Sequence, residues 1–278
     1  MSKEELVKQQ FGNNAEKYVK SKIHANGPDL QYVVQQVESR HNNRLLDIAT
    51  GGGHVANILA PLFKEVVALD LTEKMLENAK NFIISNGHEN VSFIAGNAES
   101  LPFADGFFDT ITCRIAAHHF TNPPQFIYEV NRTLEHNGLF ILIDNVSPEN
   151  NEYDTFYNFI EKKRDPSHER ALKKTDWISL LEKNGLQMQS CLTFDKKFEF
   201  DWWCDMMNVP LLKRMKLTEC MMKTPVEMQE FFNIQIENNK INSFYTEMAL
   251  FVCKKKRDIK KINFLQSFQS TLYLVQRK

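Results

Sequence analysis

The sequence predicts an α/β domain, a mostly parallel sheet with helices on both of its faces. Three observations predict it. Short apolar runs alternate with stretches of helical periodicity from about residue 44 to residue 185. One run, Leu139 to Asp144, is apolar almost throughout, as a central strand covered on both sides must be. Finally, Leu45-Leu46-Asp47-Ile48-Ala49 leads through Thr50-Gly51-Gly52-Gly53 into a helical pattern and then into Val66-Val67-Ala68-Leu69-Asp70. That is the order of strand, glycine turn, helix and second parallel strand.

Strand one covers about Arg44 to Ala49. The helix after it shows Val55, Ile58, Leu59 and Leu62 at helical spacing. Pro61 should kink or shorten it, because proline lacks the N–H and crowds the preceding turn. Strand two is Glu65 to Asp70. Thr72 stands where it can cap the next helix, which carries Met75, Leu76, Ala79, Phe82 and Ile83 on one face and ends at Asn86-Gly87. Strand three is Val91 to Ala95 and strand four Asp109 to Ile115. Asn122 with Pro123 opens a helix that buries Phe126, Ile127, Val130 and Leu134 and stops at Asn137-Gly138. Strand five is Leu139 to Asp144, and Thr175 stands where it can cap a helix ended by Gly185.

Beyond Gly185 the pattern changes. Gln187 to Phe200 and Phe244 to Cys253 read as longer, partly alternating strands. Between them, Asp201 to about Gln229 reads as a helical insertion with Trp202, Trp203 and six of the ten methionines. It is either a satellite core or an apolar cap over a greasy substrate. Lys254 to Lys278 is basic, with Ile262, Leu265, Phe268, Leu272 and Val275 at helical spacing. It reads as an amphipathic helix or as an extension without order. The division expected is a helical cover over residues 1–40, the main domain over 41–253 with its insertion at about 201–229, and the basic extension 254–278.

At 278 residues and 42% hydrophobic content, the chain can build a large core. A net charge of −1 gives no bulk attraction to nucleic acid or anionic lipid. The five cysteines, at 113, 191, 204, 220 and 253, show neither a C-x-x-C nor metal spacing, a pattern of reduced thiols. Met-Ser-Lys-Glu-Glu is no signal peptide, and no run approaches the roughly 18 apolar residues of a membrane span. We expect a cytoplasmic monomer or homodimer whose partner is a small molecule, with no nucleic acid and no integral membrane span.

The glycine turn suits an adenosine-containing cofactor. Gly51 and Gly53 let the backbone turn sharply and approach a ligand, and Asp70 can accept hydrogen bonds from both ribose hydroxyls. Two cofactors fit. Gly51-x-Gly53-x-x-Ala56 matches the dinucleotide fingerprint. S-adenosylmethionine is the other, its motif placing an acid four residues before the first glycine, as Asp47 stands here. An acid suits an ammonium and a sulfonium and would repel a pyrophosphate, so charge favours the methyl donor over NAD.

Further segments carry a resemblance. Val91-Ser92-Phe93-Ile94-Ala95-Gly96-Asn97-Ala98-Glu99, Leu101-Pro102-Phe103 and Phe108-Asp109-Thr110-Ile111-Thr112-Cys113, with the opening Phe11-Gly12-x-x-Ala15-x-x-Tyr18, resemble the class I methyltransferases. The similarity is to the ubiquinone/menaquinone biosynthesis type (methyltransferase type 11) and its uncharacterised bacterial relatives, over roughly residues 8 to 253. The resemblance implies a Rossmann-like, seven-stranded sheet with an antiparallel pair at one edge. It implies a donor site of Asp47, Ala49, Gly51, Gly53, Asp70, Leu71, Asn97, Ala98 and Arg114. Ala49 stands where many relatives have glycine, and Asn97 where the family usually has Asp; an Asn oxygen can still accept from the adenine amino group. The matching tyrosine implies that Tyr18 closes over the donor.

Methyl transfer is an in-line displacement at a sulfonium carbon, so the protein must align the nucleophile, exclude water and remove any proton it carries. Arg114, His118, His119, Asp144 and Asn145 emerge from strands four and five, over which the acceptor must lie. His118 and His119 are the candidate bases, and at most one is expected to face the substrate. Neither has a partner at i+4 or nearby cysteine ligands, so no metal site is expected. The segment from Tyr153 to Arg170, including Tyr157 and His168, and Trp203 with the insertion are the available covers. Asn122-Pro123-Pro124-Gln125 resembles the Asn-Pro-Pro-Tyr motif of nucleic-acid amino methyltransferases only superficially. It lies too far beyond strand four and lacks the aromatic, and a helix cap explains it. The reading is therefore a methyltransferase acting on a small apolar, quinone-like molecule. An NAD-dependent oxidoreductase and a non-catalytic donor-binding regulator are the alternatives.

Overall fold

The apolar run Arg44–Ile48 forms β1, about which the sheet is organised. It pairs in parallel with β2 (Glu65–Asp70) on one side and with β4 (Phe108–Arg114) on the other. Parallel β3 (Val91–Ala95) continues past β2, and parallel β5 (Leu134–Val146) past β4. β8 (Lys240–Lys255) then runs antiparallel between β5 and β6 (Leu186–Glu199). The order is β3-β2-β1-β4-β5-β8-β6. A further strand, β7 (Gln235–Glu237), folds onto β8, so the sheet holds eight strands among the described residues rather than the seven expected. Asn238 and Asn239, both at positive φ, make the tight turn of that hairpin. Three residues are too few for a visible alternation. The structure is a computed structural model that describes residues 3–12, 14, 17, 27–40 and 42–256.

Successive residues of β1 face opposite sides of the sheet, which divides the core in two. Leu45 joins one layer, in which α2 (Pro28–Val37), α3 (His54–Leu59) and α4 (Glu73–Ser85) bury Val33, Leu59 and Ile83 against Val66 and Ile141. Leu46 joins the other, in which α5 (Pro123–Thr133) and α7 (Lys174–Lys183) bury Phe126, Val130 and Trp177 against Ile111 and Phe140. A third core lies under the insertion. There α6 (Asn151–Arg164), α8 (Phe200–Met206), α9 (Leu211–Met222) and α10 (Val226–Phe231) close over Tyr157, Trp203, Met221, Phe232 and Phe244. This is the satellite core, and Met207, Met221 and Met228 are buried in it. The remaining helix, α1 (Lys3–Gly12), buries none of its residues.

Several local expectations are corrected. α3 stops at Leu59 and passes into a 3-10 turn over Ala60–Leu62, the shortening that Pro61 demands. Thr72 is the N-cap residue of α4, but its side chain makes no capping bond to the helix. Thr175 is not a cap: α7 begins at Lys174, and the Thr175 hydroxyl donates to Glu149 at 2.7 Å. α5 ends at Thr133 rather than at Asn137-Gly138, because Leu134 is already extended and paired with Phe108. Leu134 is fully buried all the same, so the apolar spacing runs on past the helix. Tyr18 and the extension beyond Lys256 lie outside the described residues. Among the described residues no helix is long and apolar enough to cross a membrane.

Candidate active site

Between β1 and β4 the chain reverses the direction in which it adds strands, and the loops leaving their carboxyl ends part there. They enclose a cleft of about 1260 Å³ that is open to solvent. Asp47, Ala49, Gly51, Asp70, Leu71, Asn97, Ala98 and Arg114 all line it. Thr50, His54, Met75, Glu99 and Thr121 line it too and were not singled out from the sequence.

Asp47 is buried at the end of β1 and accepts hydrogen bonds from the hydroxyls of Thr50 at 2.6 Å and Thr112 at 2.8 Å. Burial pushes its carboxyl up to about 6 despite those bonds, so it is ionised at neutral pH. Asp70 ends β2. One of its oxygens accepts from the Gly51 N–H and the other from the Thr72 N–H, both at 2.9 Å. Burial raises its pKa as well. The Thr72 side chain and the Leu71 N–H also hydrogen-bond the carboxylate, which offsets part of that rise.

Gly53 does not line the cleft. At φ +82° it starts α3, and a Cβ there would stand 2.9 Å from Ile83 Cδ1 and 3.0 Å from Ala79 Cβ. Its missing side chain lets α3 pack on α4. Gly51, at φ +55°, is the glycine of the cleft wall. Ala49 also holds a positive φ, 54°, a conformation glycine adopts at no steric cost. The Asn97 amide is fixed: its oxygen accepts from the Glu99 N–H at 2.8 Å and its NH₂ donates to Glu4 at 2.7 Å. Glu4 belongs to α1, which lies across the mouth with Leu6, Val7 and Phe11 in the lining. Arg114 is held from α2 by Asp29 at 2.5 Å.

A second, narrower cavity, about 560 Å³ with its open mouth included, adjoins the first. Phe11, Ile115 and His119 line both, so they form the shared wall. The Phe11 ring meets His119 edge-on at 4.9 Å. Both His118 and His119 line the second cavity. They sit on a 3-10 turn, Ala117–His119, with ring centres 4.2 Å apart, and the cavity wraps around the pair. His118 Nδ1 lies 2.6 Å from Asp144, whose other oxygen accepts the His118 N–H at 2.8 Å. Burial pulls the His118 pKa down, but the charge and hydrogen bond of Asp144 outweigh it and the net direction is up. His119 goes the other way, to about 4, through burial and the neighbouring His118. His168 is lowered further by burial and nearby cations, and its Nε2 lies 2.9 Å from Asn158 Oδ1.

The rest of the lining was only partly foreseen. Arg164, Asp165, His168 and Asn145 are present, whereas Lys162 and Lys163 are not. Tyr157 and Trp203 are fully buried in the satellite core and do not reach the cavity; Trp202, Met206 and Met207 supply the apolar wall instead. Lys196 and Phe198 of β6 were missed. Phe194, Lys196 and Phe198 alternate along the strand, which puts the lysine on the inward face. Asn122 caps α5, accepting from the Gln125 N–H at 3.2 Å, as the cap reading requires.

Residues 46–142 match the family described as the methyltransferase domain. The chain is 36% identical to the uncharacterized methyltransferase YcgJ of Bacillus subtilis over 82% of its own length and 90% of that protein. The crystal structure of YcgJ superposes with a TM-score of 0.79, covering 82% of this chain and 98% of that one. A candidate methyltransferase of Bacillus halodurans C-125 is 45% identical, with a TM-score of 0.81 over 83% of this chain and all of that one. The ubiquinone/menaquinone biosynthesis C-methyltransferase UbiE of Stutzerimonas stutzeri is more distant, 29% identical over 46% of this chain and 52% of its own. The similarity to YcgJ spans nearly the whole of both proteins, and the donor that goes with it is S-adenosylmethionine rather than NAD: the chain belongs to the class I S-adenosylmethionine-dependent methyltransferases.

Proposed function

We propose that this enzyme methylates a small molecule with an apolar, quinone-like body and a proton-bearing acceptor atom, held in the second cavity. The observation that carries the reading is the junction of the two cavities at Phe11, Ile115 and His119, with the His118–Asp144 pair on the acceptor side.

The cleft residues fit S-adenosylmethionine. Asp70 would take the ribose hydroxyls at the cleft surface, its carboxylate already fixed by the Gly51 and Thr72 N–H groups. Asp47 places a negative charge beneath the glycine turn, which suits an ammonium and a sulfonium. Asn97 would meet the adenine through the second lone pair of its oxygen, beside Leu71 and Ala98. Gly51 gives the backbone approach, and Arg114 closes the far side.

When bound, S-adenosylmethionine supplies a methyl carbon on a sulfonium, electrophilic without further activation. The protein's tasks are then alignment, proton removal and exclusion of water. The bond to Asp144 assigns the Nδ1 proton of His118, which leaves Nε2 to take a proton from the acceptor. Asp144 stabilises the imidazolium that results. His119 is neutral at physiological pH and holds its place in the shared wall, with Ser167 Oγ 3.3 Å from Nδ1. Phe11 and Ile115 exclude water from the junction. The five free thiols and the absence of a bulk charge support a cytoplasmic enzyme, monomeric or homodimeric, that acts on a metabolite rather than on nucleic acid.

The test separates donor binding from transfer. His118→Asn should hold S-adenosylhomocysteine within about twofold of wild type by calorimetry. It should lower transfer of labelled methyl into a metabolite extract by roughly 10²–10⁴-fold, the usual worth of a positioned base. Unchanged transfer would remove His118 from this role.

A further inference from the structure

We propose that the acceptor carries an anionic group, a carboxylate or an equivalent oxyanion, and that Lys196 is the residue that receives it. This rests on the reading of the second cavity as the acceptor site.

The two acids that line that cavity, Glu161 and Asp165, are engaged, as is Asp144 behind His118. Asp144 holds His118 through both the ring and the backbone N–H. Glu161 accepts from Arg164 at 3.0 Å and from the Trp203 indole at 3.4 Å. Asp165 accepts from the Ser167 N–H at 2.8 Å and the Ser167 hydroxyl at 2.6 Å. Arg164 has its carboxylate in Glu161, donates to the Trp203 carbonyl at 2.9 Å and lies over the Trp203 ring. Lys196 differs. Among the described residues its ammonium has one hydrogen-bond acceptor, Asn145 Oδ1 at 3.2 Å, and lies 4.9 Å from the centre of the Phe198 ring. Among the described residues no carboxylate stands within ion-pair distance of it.

A half-buried lysine with no carboxylate in contact among the described residues is destabilised in its charged form, and the more distant charges of Glu161 and Asp144 offset only part of that. Burial accordingly lowers Lys196 to about 8, where it is still mostly protonated at neutral pH. The cavity thus presents a cation with two ammonium hydrogens left for a ligand, beside an apolar wall of Phe198, Trp202 and Met206. A ring bearing an ionised substituent matches both features. A wholly apolar acceptor would leave the lysine uncompensated, and a polyanion would have no second unengaged cation to meet.

Benzoate and its neutral isostere benzamide are the probes, titrated by ligand-observed NMR into the full chain saturated with S-adenosylhomocysteine. Wild type should bind benzoate at least about fivefold tighter than benzamide, as one partly desolvated charge-assisted contact allows. Lys196→Gln should abolish that preference, and Lys196→Arg should retain it. Thermal unfolding and S-adenosylhomocysteine affinity check that each variant is folded. Equal binding of the two probes, binding of neither to wild type, or a preference that survives in Lys196→Gln would each overturn the proposal. Those outcomes are distinct from failure of the acceptor reading itself, which would appear as methyl transfer unaffected by His118→Asn.

Discussion

Gly51 and Gly53 both occupy the left-handed region, yet alanine at each should fail in a different way. At Gly53 the new Cβ would stand 3.0 Å from Ala79 Cβ, on the helix backbone, and 2.9 Å from Ile83 Cδ1. The isoleucine tip can move; the alanine can move only with α4. A left-handed alanine costs about 1–2 kcal/mol and overpacking of this kind about 1–3 kcal/mol. Gly53→Ala should therefore lose roughly 2–5 kcal/mol, a fall in Tm of roughly 4–20 °C at about 2–4 °C per kcal/mol. Because Gly53 is not in the cleft wall, the folded fraction should bind S-adenosylhomocysteine within about threefold of wild type. At Gly51 the nearest atom to a Cβ is the flexible Met75 Cε at 3.5 Å, so only the backbone term of about 1–2 kcal/mol applies to stability. The added methyl stands in the cleft lining, and donor affinity should fall at least about tenfold. Differential scanning calorimetry and titration calorimetry on the two variants measure both quantities. If Gly53→Ala loses donor affinity with no loss of Tm, the division of labour argued here is wrong.

Asp70→Asn should weaken S-adenosylhomocysteine by about ten- to a hundredfold, the loss of one or more charge-assisted hydrogen bonds of about 1.5–3 kcal/mol; affinity within twofold of wild type would exclude Asp70 as the ribose ligand. Trp203→Ala should cost about 3–5 kcal/mol through the cavity it leaves in the satellite core, whereas Trp202→Ala should change acceptor use more than Tm, read by thermal unfolding beside methyl transfer. His119, lowered to about 4, and His168, lowered further, bind protons more readily unfolded than folded. The stability they contribute above about pH 6.5 should be lost as the pH falls toward 4, and His119→Gln should flatten that acid limb of a Tm profile. His118, raised by Asp144, contributes in the opposite sense, its share being lost as the pH rises through its folded pKa.

The donor cleft was legible because its residues follow the carboxyl ends of consecutive strands. Asp47, Gly51, Asp70, Asn97 and Arg114 each mark the exit from a run of strand character, so naming the runs named the lining. Gly53 is ambiguous in the sequence, because positive φ and close approach leave the same trace whether the neighbour is a ligand or a helix. The second cavity was half legible. His118, His119 and Asn145 follow the same rule, but Lys196 comes from an antiparallel strand far along the chain. Its signal was present, an inward lysine between Phe194 and Phe198, and was masked by Lys197 and Glu199 on the outward face. Trp202 and Trp203 are adjacent on α8, and sequence alone does not say which faces the core.

The wall between the two cavities explains a cost the fold carries. Ile115 is β-branched and sits at φ 54°, a conformation that disfavours such side chains. It is held there by the pairing of β4 with β5, its N–H donating to Ile143 at 2.7 Å. Ala49, at the matching position after β1, has φ 54° as well, and the Thr50 N–H that follows donates to Leu69 at 2.9 Å. On both sides of the switch point the chain therefore turns out of the sheet within one residue while the strands stay in register. An exit through ordinary extended backbone would carry each chain onward along its strand and over the space between them. The left-handed residue diverts it, which opens the larger cleft after β1 and sets Ile115 and His119 in the wall between the two cavities. Strain of about 1–2 kcal/mol at each position is small beside the burial of Leu45, Leu46, Ile48 and Ile111 in the strands that impose it. Ala49→Gly should relieve one of the two strains, raising stability by up to about 1 kcal/mol after the greater unfolded-state entropy of glycine is subtracted, with donor affinity unchanged.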